Sequence, residues 1–79
     1  MYKPLGRRFY LNRKEDPSGI SGVGIVGEGW LDPLGEAILV WLVGEHKSTE
    51  IHHSIEDLLA IHGHSGATEV VWIDAEPTR

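Results

Sequence analysis

The sequence predicts a small α+β domain: an antiparallel meander of five strands, or an SH3-like barrel, with one short helix between strands four and five. Three observations carry that expectation. Short apolar runs rich in β-branched and aromatic residues recur along the chain. Turn signals separate them, and connections this short favour antiparallel pairing over parallel crossovers. One stretch, Ser54–Gly66, reads as a short helix with both of its ends marked.

Arg8–Arg13 is the first strand, with Phe9 and Leu11 on one face and Tyr10 and Asn12 on the other. Asp16-Pro17-Ser18-Gly19 then signals a turn. Val23–Leu31 is a second strand, weakened or bulged by Gly24, Gly27 and Gly29. Asp32-Pro33-Leu34-Gly35 has Asp first, Pro second and Gly fourth, the pattern of a type I turn, and predicts a hairpin. Its second arm, Ala37–Val43, is almost continuously apolar and reads as a central strand buried on both faces. Gly44–Lys47 turns the chain into a shorter strand, Ser48–His53.

The helix is expected over Ile55–His62. Ser54 caps its first turn, Asp57 stands three residues later as in a capping box, and Gly63 takes a left-handed conformation to end it. Ile55, Leu58, Leu59 and either Ile61 or His62 would cover one open end of the sheet. Thr68–Ile73 is the last strand, and the ordered part is expected to run over about 7–74 of a single domain, 1–79.

Charge is strongly uneven. Lys3, Arg7, Arg8, Arg13 and Lys14 give residues 1–14 a charge of +5, while the remainder holds all 12 acids and sums to -10, for a net charge of -5. The first strand is expected to lie beside acidic neighbours, and the acidic body disfavours nucleic acid, whose binding rests on phosphate neutralisation. There is no cysteine, so disulfides and zinc-thiolate sites are excluded. No apolar run approaches the roughly 20 residues of a membrane span, and a cytoplasmic location with no membrane contact is expected.

The chemistry-bearing residues are few. His53, His62 and His64 are the candidate metal ligands, since three imidazoles can hold zinc with an open position. His52 and His53, adjacent in a strand, point to opposite faces and cannot share an ion. The histidine spacing matches no zinc motif, so no cofactor is expected. Gly19, Gly22 and Gly24 do not build a phosphate loop, because a hairpin follows where a helix would open. No serine sits in a nucleophile elbow, and the chain is read as non-catalytic. Arg8, Tyr10, Arg13 and Trp30 are the candidate binding residues, a basic strand edged by two aromatic side chains.

Ser21-Gly22-x-Gly24-x-Val26-x-Glu28-Gly29, Trp41 and, above all, Ser54-Ile55-Glu56-Asp57-Leu58-x-x-Ile61-His62-Gly63-His64-x-Gly66-x-Thr68-x-x-x-Trp72 carry a resemblance. They are similar to a group of short, functionally uncharacterised proteins of actinobacteria, archaea and their viruses, over residues 8–74. The resemblance implies a free-standing, virus-associated domain and assigns no activity, cofactor or catalytic residue.

Three functions follow as expectations. The first is a protein-interaction module, self-associating or bound to a protein partner. The alternatives are a nucleic-acid accessory protein using the basic first strand, and a small histidine-dependent metal protein or hydrolase.

Overall fold

The computed structural model of the protein describes residues 5–16, 22–44 and 47–76. Its elements run β1 (Arg7–Arg13), β2 (Gly24–Leu31), β3 (Ala37–Trp41), β4 (Thr49–His52), α1 (Ile55–His62), a 3-10 turn (His64–Gly66) and β5 (Thr68–Trp72). All pairings are antiparallel, in the order β4-β3-β2-β1-β5. The sheet is not closed: β4 and β5 are its two edges, so the SH3-like barrel gives way to an open five-stranded sheet. The turn expected at Asp16–Gly19 falls mostly outside the described residues.

The β2–β3 hairpin forms as its sequence requires. Gly35 N–H donates to the Asp32 carbonyl at 3.0 Å, and Asp32 Oδ1 accepts from the Leu34 and Glu36 amides at 2.9 Å each. The β1–β2 register shifts between Leu11 and Asn12, leaving Val26 as the extra residue of a β-bulge. That shift lets Val26 and Gly27 both be buried. Gly29 is needed for close approach, because a Cβ there would run into the Phe9 ring and the Ile38 carbonyl oxygen. Gly29 thus leaves room for the Phe9 ring at the centre of the sheet.

Phe9, Leu11, Val26, Ala37, Leu39 and Leu58 form the core, with Trp41, Ile55, Leu59, Val70 and Trp72 packed around them. Phe9 meets Trp72 edge to face, 5.6 Å between centroids. The strand β3 is shorter than expected and is not buried on both faces: Ala37 and Leu39 face the core, whereas Val40 is exposed and Leu42, just past the strand, is exposed too. Among the described residues only one layer covers the sheet, so alternation in β3 follows the single buried face.

Helix α1 is that layer, touching both β4 and β5. Ser54 Oγ accepts from the Asp57 amide at 3.0 Å, the N-cap bond the sequence announces. The other end differs from expectation. Gly63 is right-handed (φ -72), and the left-handed positions are Ser65 (φ 55) and Gly66 (φ 95). Gly63 is needed for another reason: a Cβ would stand 2.5 Å from the Leu59 carbonyl oxygen. Among the described residues no helix is long and apolar enough to cross a membrane.

Replacing Gly29 by Ala is expected to lower unfolding stability by about 1–3 kcal/mol through overpacking. Ser54→Ala should cost about 1 kcal/mol through loss of the cap. Urea unfolding of the two variants measures both, and an unchanged midpoint for Gly29→Ala would contradict the packing of Phe9 against β2.

Candidate functional site

The sheet's inner face at β4 presents Glu50 and His52, two residues apart and therefore on one side of the strand. Helix α1 brings His62 to the same place. Of the two side chains expected to face the sheet there, Ile61 is exposed and His62 is turned inward. Glu50 Oε1 accepts from His52 Nε2 at 2.9 Å and from His62 Nε2 at 2.8 Å. Its second oxygen, Oε2, accepts from the Trp41 indole Nε1 at 2.9 Å. The rings are packed edge to face, 4.9 Å between Trp41 and His62 and 5.4 Å between His52 and His62.

This arrangement fixes the state of Glu50. Partial burial pushes its carboxyl up, but the hydrogen bonds from Trp41, His52 and His62, together with the charge of His62, outweigh it and hold the group at about 2. A carboxylate so ionised only accepts, so each imidazole facing Oε1 carries a proton on Nε2. The cluster stands at the rim of the core. The side chains of His52 and His62 are 11% and 18% exposed, and that of Glu50 34%.

The structure joins His62 to His52 and Glu50, not to His53. His53 is exposed, beyond the end of β4. The side chain of His64 lies outside the described residues. Glu50 and His52 were not singled out by spacing, because the contact depends on which helix face turns inward. The signal was present in part: the alternation that separates His52 from His53 also puts Glu50 and His52 on one side.

The candidate binding residues divide. Arg8 is tied to Asp74 by a fork, Nε to Oδ2 at 3.0 Å and NH2 to Oδ1 at 2.8 Å, with its backbone amide on Oδ2 at 2.8 Å. Those bonds hold the Asp74 carboxyl at about 2 and raise the Arg8 guanidinium. Lys14 lies 3.8 Å from Glu69, and the Arg7 guanidinium stacks 3.8 Å from the Trp72 ring centre. The basic first strand is thus lined by acids of the β5 segment. Arg13 points inward opposite Thr68, its Nε buried without a hydrogen-bond partner.

Tyr10 and Trp30 lie on the outer face instead. Arg8, Trp30, Ile38 and Ile51 stand opposite one another in a single row across β1, β2, β3 and β4. Tyr10, Glu28, Val40 and Thr49 form the next row. The Trp30 indole covers Gly6, where a Cβ would collide with it.

A family model described as Acb5 phage protein matches residues 6–74. Neither the curated proteins nor the solved structures contain a match.

A carboxyl whose folded-state value is depressed contributes stability that is complete above its unfolded value and is lost as pH falls through the folded one. Glu50 and Asp74 place that window between about 4.5 and about 2. In Glu50→Gln, stability should fall less steeply with pH across this window than in the wild-type protein. Chemical denaturation at a series of pH values checks it; identical slopes would dissociate Glu50 from the cluster's stability.

Proposed function

The chain belongs to the Acb5 phage protein family, and on that footing we propose that it is a phage-associated, non-catalytic interaction module that acts through the outer face of its sheet. The occupant is a second copy of the chain. One observation carries this reading: the row of Trp30, Ile38 and Ile51 is apolar and lies on the face that, among the described residues, no other element covers. Ile51 is 70% exposed, and Trp30 and Val40 on the same face are exposed as well.

Domains are ordinarily built from two packed layers, and a half-covered antiparallel sheet usually turns polar residues outward. Here β2, β3 and β4 turn Trp30, Ile38, Val40 and Ile51 outward alongside Glu28 and Thr49, a share of large apolar side chains that favours a contact surface. Trp30 is held over Gly6, so it loses little freedom on binding, as befits an anchor. The charge in this row, Arg8, is already paired with Asp74. The row itself asks for no further counter-charge, with Glu28 standing exposed in the row beside it, and this suits an apolar partner, which a second copy presents by two-fold symmetry.

The alternative of a nucleic-acid accessory protein rests on free positive charge along β1. The carboxylates at Arg8 and Lys14 weaken that support.

Light scattering after size exclusion, over a range of concentrations and salt, tests the proposal. The wild-type chain should give a dimer mass little affected by salt. Ile51→Lys, on a solvent-facing position, should keep its fold and lose at least about tenfold in dimer affinity, and Trp30→Ala should weaken it similarly. A monomer at every concentration would sink self-association, and a dimer indifferent to both substitutions would sink the assignment of this face.

A further inference from the structure

We propose that Glu50 Oε1, His52 Nε2 and His62 Nε2 form a binding site for one zinc-class divalent transition-metal ion. The three residues come from two elements, β4 and α1, and each offers a ligand atom within 4.8 Å of the other two. Two imidazoles and one carboxylate are a donor set that suits zinc and its neighbours and leaves a fourth position for water or an external ligand. The site is independent of the sheet's outer face, since Glu50 and His52 are on the inner side of β4.

The surroundings resemble the outer shell that orients metal ligands. Trp41 Nε1 holds Oε2 at 2.9 Å, which turns Oε1 toward the two imidazoles. Edge-to-face packing of Trp41 on His62 and of His62 on His52 fixes both rings. The partial exposure of all three side chains gives an ion a way in from solvent.

The two carboxylate–imidazole separations need little change. Bonds of about 2.0–2.2 Å in a tetrahedral site put neighbouring ligand atoms near 3.3 Å. The two Nε2···Oε1 contacts stand at 2.8 and 2.9 Å. Each ring would withdraw from the carboxylate by about half an ångström. Its proton moves from Nε2 to Nδ1, leaving the Nε2 lone pair for the ion. The bound ion would then take the place of two hydrogen bonds and tie α1 to the edge strand.

Zinc chloride titrated into the full chain, followed by calorimetry and by NMR of the histidine rings and the Trp41 indole, tests the site. One equivalent should bind, shift the His52, His62 and Trp41 signals, and raise Tm. His62→Ala should abolish saturable binding, Glu50→Gln should weaken it at least about tenfold, and His53→Ala should leave it unchanged. Should Glu50→Gln unfold, Trp41→Phe, which keeps all three ligands and loses the indole donor, should still weaken affinity about tenfold or more. Unmoved ring signals at excess zinc, or binding lost equally in His53→Ala, would overturn the assignment.

Discussion

A five-stranded sheet covered by a single eight-residue helix has one dominant constraint: α1 must bury enough apolar surface to seal the inner face. Leu58 is the one helix side chain fully withdrawn from solvent, and it meets Phe9, Leu11, Val26, Ala37 and Leu39 in one cluster. Because α1 touches both edge strands, the same small contact sets the position of β4 and of β5. Burying a leucine is worth only about 1.5–3 kcal/mol. Support must therefore come from around it. Ile55 and Leu59 supply apolar contact, Ser54 the cap, and His62 a polar tie to β4.

That polar tie is where packing and chemistry coincide. The inward turn of α1 that buries Leu58 also carries His62 to Glu50, four residues further along the helix and on the same side. Glu50 uses one oxygen for two imidazoles and the other for an indole, so every polar atom it offers is engaged by an aromatic side chain. A half-buried carboxylate would otherwise be costly. The charge asymmetry of the sequence resolves similarly. The basic first strand faces Glu69 and Asp74 from the β5 segment, and the fork of Arg8 on Asp74 makes the charge pattern a strand-pairing device.

Local signals in the sequence were legible because local physics decides them. The Asp32–Gly35 turn, the Ser54 cap and the boundaries of α1 all depend on residues within a few positions of one another. The bulge suggested by the β2 glycines belongs to the same class. Long-range matters were less legible. Closure of the sheet depends on whether β4 reaches β5, and nothing in either strand's pattern encodes that distance. The continuous apolar run of Ala37–Val43 conceals the uncovered outer face, since an exposed Val40 looks like a buried one in sequence. Gly63 was informative for the wrong reason: it marks close contact with Leu59, not a left-handed turn. The His cluster was half legible, with His62 identified and its partners decided by the orientation of a helix.

The contacts of Glu50 with His52 and His62 span only 2 and 12 residues of chain, whereas the fork between Arg8 and Asp74 spans 66. Loop-closure entropy rises with separation, and short-range contacts assemble sooner. The segment from β4 to the end of α1 therefore holds its carboxylate and both rings together at a low cost in chain entropy. Pairing of β5 with β1, by contrast, closes the longest loop in the molecule and carries the larger entropic cost.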